Sequence, residues 1–166
     1  MSSSSEDGKL PLLYVDDSEN DRLLVKEAIT ITKTPFIYHM ADGLESAMPY
    51  FRHPGELEQH PAMVLLDYEL GGNTTGLDFL HWLRVRKKMT SLPVVMFSGS
   101  PGRDHIAECY AAGVDHYLTK PNVMEHLKRI VRTLYTGLVS PPPSPITLLD
   151  EYRPDPREEA RKTTRA

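Results

Sequence analysis

A chain of 166 residues, 40% hydrophobic and 25% charged, has the composition of a globular protein and is long enough for one core with an appendage. Its formal net charge of -4 gives no drive toward nucleic acid or anionic membrane surfaces, and no apolar run approaches the ~20 residues that span a bilayer. The one cysteine, Cys109, excludes an internal disulfide, and Met1–Gly8 lacks the basic and apolar regions of a signal peptide; a cytoplasmic location is expected.

Leu10–Val15 is a continuous apolar run of the kind found in strands buried on both faces. Ser18 with Asp21 three residues on resembles a capping signal, Asp replacing the usual Glu or Gln. It predicts a helix to about Thr32, with Leu24, Val25, Ala28 and Ile29 on one face. Pro35–Met40 reads as a second strand, Leu44–Arg52 as a helix that Pro49 shortens or kinks, and His53–Pro61 as a loop. Ala62–Asp67 is the predicted central strand. Gly71-Gly72-Asn73 marks a turn, and Leu77, Leu80 and Leu83 predict a helix through about Lys88. Pro93–Ser98 is a fourth strand, followed by a Gly99–Gly102 loop and a helix over about Asp104–Ala112 that Gly113 ends in the left-handed conformation. Val114–Thr119 is the fifth strand, and Leu127, Ile130, Val131 and Leu134 line one face of a last helix. This alternation argues for an α/β domain over residues 9–138, between a flexible N-terminus (1–8) and a tail (139–166) that is Pro-rich, then charged, and expected to be disordered.

Four of the strands end on polar residues: Asp16-Asp17, Asp67, Ser98 and Lys120. Ligands of open α/β sheets bind outside the carboxyl ends of the strands, so these side chains converge where such folds do their chemistry. Clustered carboxylates need a cation or shifted pKa values to coexist. Mg²⁺ suits Asp16, Asp17 and Asp67, because a few carboxylates and waters hold it and leave room for phosphate oxygens. A carboxylate can also act as a nucleophile and become an aspartyl phosphate, with metal and Lys120 neutralising the transferring group and Ser98 donating to one of its oxygens.

The segments Leu13-Tyr14-Val15-Asp16-Asp17, Leu65-Leu66-Asp67, Val95-Met96-Phe97-Ser98-Gly99 and Ala112–Pro121 together resemble a response-regulator receiver domain over roughly Leu10–Gly137. The resemblance implies a flavodoxin-like (βα)₅ doubly wound parallel sheet with strand order 2-1-3-4-5. Asp67 would be the phosphoacceptor for a histidine kinase or phosphotransfer protein. Asp17 and Asp67 would ligate Mg²⁺ directly and Asp16 through water, with the backbone carbonyl of Glu69 completing the set. Lys120 would pair with the phosphoryl group before a cis Lys120–Pro121 bond, Ser98 and the Gly99 N–H would grip it, and Tyr117 would be the aromatic switch. The short form is similar to phytochrome-associated and chemotaxis-type regulators. It implies a stand-alone protein with no direct DNA or membrane binding, signalling to a downstream protein through the last two helices and last strand, also a candidate homodimer surface.

The chain departs from that pattern in three ways. The usual Pro after the phosphoacceptor strand is missing and Gly76 comes one residue late; Glu69 is acidic two residues after Asp67; and the short, polar tail is not expected to form an output domain. A phosphorylation-independent interaction module is the alternative function, and an aspartate-based phosphatase is disfavoured because Glu69 stands where a second Asp is needed. Plainer readings attach to other residues. Asp16-Asp17 could cap a helix, Cys109 reads as an inert thiol, and Trp82 as packing. The seven histidines have no metal-ligand spacing, Arg84–Lys88 reads as a solvated helix end, and Ile146–Leu149 as part of the disordered tail.

Overall fold

The computed structural model describes residues 8–52, 60–99 and 103–139. Most of the expected loop after Arg52, the tip of the loop after Gly99 and nearly all of the expected tail lie outside them. Five parallel strands form one sheet in the order β2-β1-β3-β4-β5. They are β1 (Leu10–Val15), β2 (Phe36–Ala41), β3 (Met63–Leu66), β4 (Val94–Ser98) and β5 (His116–Thr119). The helices are α1 (Glu19–Thr32), α2 (Leu44–Ala47), α3 (Pro49–Arg52), α4 (Gly76–Arg84), α5 (Arg103–Ala111) and α6 (Met124–Val139). This is the flavodoxin-like order that the resemblance implied.

Strand residues alternate between two cores, because successive side chains point to opposite faces of a sheet. Leu12, Tyr14, Met63, Leu65, Val95, Phe97 and Leu118 pack with α1 and α6 through Val25, Ala28, Ile29, Leu127, Ile130, Val131 and Leu134. Leu13, Val15, Val64, Leu66, Val94, Met96 and Tyr117 pack on the other side with Phe51, Phe79, Leu80, Leu83, Ile106 and Cys109. Both faces are covered, so β3 and β4 are buried throughout and apolar but for the terminal Ser98. At roughly 1.5–3 kcal/mol for each large side chain removed from water, this double burial holds the strand ends in fixed relative positions.

Local chemistry sets several boundaries. Pro49 divides its segment into α2 and α3, as its missing N–H requires. Gly113, at φ 95°, ends α5: its N–H donates to Tyr110 and that of Val114 to Cys109, the paired bonds of a left-handed helix end. Leu24, expected on the buried face of α1, is instead 37% exposed at its margin. The helix expected to reach Lys88 ends at Arg84, with a 3₁₀ turn at Lys87–Met89. The reason is Arg84, which is no solvated helix end. Its guanidinium donates to the carbonyls of Met89 (2.9 Å), Leu92 (2.9 Å) and Gly113 (3.0 Å) and pairs with Asp115 at 3.1 Å. The bonds to Met89 and Leu92 satisfy carbonyls of the segment that turns from α4 toward β4, and the bond to Gly113 ties α4 to the turn after α5. Trp82 does pack, against Phe51 and Phe79, with Arg86 over its ring.

Candidate functional site

β1 and β3 are adjacent and in register, with Val15 opposite Leu66. The next residue of each strand is therefore a carboxylate on the same edge, and the Asp67 N–H donates to the Val15 carbonyl at 2.9 Å. On the far side of β3, Ser98 ends β4, and its carbonyl accepts from the Lys120 N–H at 2.9 Å. Sheet pairing alone thus gathers side chains that lie as far as 104 residues apart in sequence. Among the described residues, Asp16, Asp17 and Asp67 present carboxylate oxygens all within 4.8 Å of one another. Asp16 is 0% exposed and Asp67 7%, whereas Asp17 faces solvent.

Lys120 is the cation of this cluster. Its Nζ donates to Asp16 Oδ2 at 2.6 Å, Asp21 Oδ2 at 2.8 Å and Asp67 Oδ2 at 3.0 Å. Burial alone would lower the Lys120 pKa, but the bonds to Asp16 and Asp21 outweigh it and hold the ammonium charged. One lysine does not neutralise this many carboxylates. Burial, and then the charge on Asp16, push the Asp67 pKa up to about 6 against the opposing pull of Lys120.

That shift predicts a pH dependence. A carboxyl whose folded pKa exceeds its unfolded value of roughly 3.9 binds its proton more tightly when folded. The stability cost of ionising Asp67 is therefore absent below about pH 4, grows to about pH 6 and is complete above it, at about 3 kcal/mol. In chelator, the stability advantage of Asp67→Asn over the parent should rise across that window in urea melts. A difference that stays flat from pH 4 to pH 7 refutes the assignment.

The loop from Asp67 to α4 closes the site from the outside. Glu69 and Thr75 form an antiparallel bridge, and Gly71 and Gly72 turn the chain at φ 74° and 59°. A Cβ on Gly71 would lie 3.1 Å from Asp17 Oδ2. Gly76, the glycine that comes one residue late, packs its Cα against the Asp67 backbone and donates its N–H to the Tyr68 carbonyl at 2.6 Å. The extra loop residue is absorbed in the turn, and Gly76 still meets the strand end. Beside the site, Tyr68 stacks on His105 of α5, with ring centroids 4.3 Å apart.

Of the predicted residues, Asp16, Asp17, Asp67 and Lys120 come together as expected. Ser98 is buried on the neighbouring strand, and Tyr117 is buried behind it with a hydroxyl that makes no hydrogen bond. Burial raises the Tyr117 pKa, with the neighbouring Ser98 hydroxyl acting in the opposite sense. Cys109 is buried, which pushes its thiol up to about 11, in keeping with an inert group. Two residues were not anticipated. The sequence pattern marks Asp21 only as the partner of Ser18 in a capping signal. Its N–H does donate to the capping Ser18 Oγ at 3.2 Å, but its carboxylate accepts from Lys120, and the Ser18 N–H donates to Asp16 Oδ1 at 2.8 Å instead. Tyr14 lies two residues before Asp16 on the same face of β1, and its hydroxyl donates to Asp16 Oδ2. The period of 2 along β1 was the signal that could have found it.

The arrangement suits a divalent cation: oxygen donors only, an uncompensated negative charge, and a glycine where a side chain would crowd Asp17. Comparison with known proteins points the same way. Residues 12–132 match the family model described as the response regulator receiver domain. The response regulator Rcp1 of Synechocystis sp. is 33% identical over 138 residues, covering 80% of this chain and 90% of Rcp1. The crystal structure of the phosphorylated cyanobacterial phytochrome response regulator RcpA superposes with a TM-score of 0.69 at 27% identity, covering 80% of this chain and 95% of that one. The Mn²⁺-bound form of Rcp1 superposes with a TM-score of 0.65 at 26% identity, covering 76% of this chain and 92% of that one.

Proposed function

The chain belongs to the response regulator receiver family, and from that premise we propose that it accepts a phosphoryl group on Asp67 from a histidine kinase or phosphotransfer protein. The observation that carries this reading is the Lys120 ammonium shared among Asp16, Asp21 and Asp67 within an excess of negative charge. Asp16, Asp17 and Asp67, with the backbone carbonyl of Glu69, are the groups that would hold Mg²⁺. When bound, that ion supplies charge neutralisation at the phosphoryl oxygens.

The chain's own residues do the rest. An Asp67 oxygen attacks phosphorus, the bond from phosphorus to the donor's imidazole nitrogen breaks, and the electron pair leaves with the imidazole. Lys120, the Ser98 hydroxyl and the Gly99 N–H would receive the phosphoryl oxygens as charge builds on them. Adding the phosphoryl group replaces one carboxylate charge by a charge of about −2 with more acceptor oxygens. Tyr117, buried beside Ser98 with its hydroxyl unpartnered, is the residue we assign to relay that change to the face formed by α5, β5 and α6. Output then runs through protein contacts on that face, to a downstream protein or a second copy.

No helix among the described residues is long and apolar enough to cross a membrane. A cytoplasmic, stand-alone regulator paired with a phytochrome-type kinase is the form that the similarity to Rcp1 and RcpA supports.

The test is intact-mass measurement after incubation with acetyl phosphate and Mg²⁺. One phosphoryl group is expected on the parent and none on Asp67→Asn. Labelling that persists in the variant moves the acceptor elsewhere. No labelling of the parent by this donor or by a panel of phosphorylated kinases leaves a phosphorylation-independent interaction module as the function.

A further inference from the structure

We infer that Tyr14 is a positioning residue for this site, its hydroxyl holding Asp16 in place when Lys120 is drawn away to the phosphoryl group. The inference rests on the phosphoacceptor reading above and adds to it a residue on which that reading does not depend.

Asp16 is fully buried, so its carboxylate oxygens need donors. Oδ1 accepts from the Ser18 N–H, and Oδ2 accepts from both Lys120 Nζ and Tyr14 Oη. The Lys120 ammonium has three N–H bonds, and all three already point at carboxylates: Asp16, Asp21 and Asp67. A phosphoryl group on Asp67 brings new, more highly charged acceptors, so Lys120 must release a bond to reach them. The Asp21 side chain is 33% exposed, and water replaces the lost bond there. Asp16 is sealed from bulk solvent, so beyond the Ser18 N–H and a water carried by the metal it has nothing to replace the lost ammonium, and a buried carboxylate short of donors is strongly disfavoured.

Tyr14 removes that obstacle. It reaches Asp16 from the same strand, two residues back, so the contact does not depend on how β5 moves. Its ring is fixed in the core, edge-on to Phe97 with centroids 5.9 Å apart. With the hydroxyl present, Asp16 keeps donors on both oxygens when Lys120 leaves. With a phenyl ring in its place, Lys120 is the one direct protein donor left to Oδ2, and Asp16 competes with the phosphoryl group for the ammonium.

The experiment compares the full chain with Tyr14→Phe, which keeps the ring. Calorimetry measures Mg²⁺ alone, then beryllofluoride in saturating Mg²⁺ as a mimic of the transferred phosphoryl group. The expected result is Mg²⁺ affinity within about threefold of the parent and beryllofluoride affinity about tenfold weaker, the scale of one hydrogen bond to a charged group. Equal beryllofluoride affinities overturn the role. So does an equal loss for both ligands, which marks a merely structural hydroxyl. NMR of the parent gives a second reading even if the variant does not fold: the Tyr14 hydroxyl proton, shielded from exchange, should persist when beryllofluoride and Mg²⁺ are added, and its loss overturns the inference. A parent that binds neither ligand instead refutes the phosphoacceptor reading itself, and the positioning role with it.

Discussion

Replacing Gly76 by alanine is expected to destabilise the domain by about 3 kcal/mol or more, at the upper end of the usual cost of overpacking. A Cβ built there lies 2.1 Å from the Asp67 carbonyl oxygen, 3.0 Å from its carbonyl carbon and 3.1 Å from the Tyr68 Cα. All three are backbone atoms, so no side chain can rotate away. Relief requires moving either the first turn of α4 or the end of β3, and the second choice displaces Asp67 itself. Urea unfolding should show the loss, and Mg²⁺ affinity should fall with it. Gly43→Ala is the control, since nothing lies within 4 Å of its Cβ, and it should stay within about 0.5 kcal/mol of the parent. Equal stabilities for the two variants remove the claim that α4 is seated on the phosphoacceptor strand.

Lys120→Ala is expected to cost about 3–5 kcal/mol in metal-free buffer at pH 7, because it leaves Asp16 buried and without its charged partner. Two conditions should shrink that loss. Mg²⁺ replaces one cation by another, so the variant should bind it more tightly than the parent does, and each tenfold difference in affinity shrinks the loss by about 1.4 kcal/mol at saturating metal. Acid does the same from the other side: Lys120 opposes the rise of the Asp67 pKa, so without it Asp67 takes up its proton at still higher pH. Urea melts with and without Mg²⁺, at pH 5 and pH 7, read both effects. A loss independent of metal and pH means that Lys120 acts by packing. Labelling of Asp67 by acetyl phosphate should also slow by about a hundredfold, the scale of removing one charge-stabilising donor.

The elements closest to the sheet were legible because their signals are local. Leu10–Val15 matched β1 residue for residue, and Pro49 divided its segment where a missing N–H demands. Leu127, Ile130, Val131 and Leu134 are all buried in α6, as their spacing implied. The misreadings involve long polar side chains. Arg84 looked like the start of a solvated basic run, yet it reaches carbonyls up to 29 residues away in the chain. Asp21 fitted a capping box but spends its carboxylate on Lys120, 99 residues on. No local pattern encodes such pairings.

The amino-acid sequence by itself determined the parallel sheet and the residues at its carboxyl edge. Continuous apolar runs can be buried on both faces only in such a sheet, and the polar residue that ends each run is then carried to a common edge. What only the tertiary structure decided is how those groups share donors and space. Lys120 serves three carboxylates at once, Tyr14 supplies Asp16 with a second donor on Oδ2, and Gly71 and Gly76 let a lengthened loop press against Asp17 and the Asp67 backbone. The physical reason is one of range. Hydrophobic periodicity is repeated over many residues and tolerates error, whereas a hydrogen bond or a glycine contact depends on a single distance set by every element packed around it.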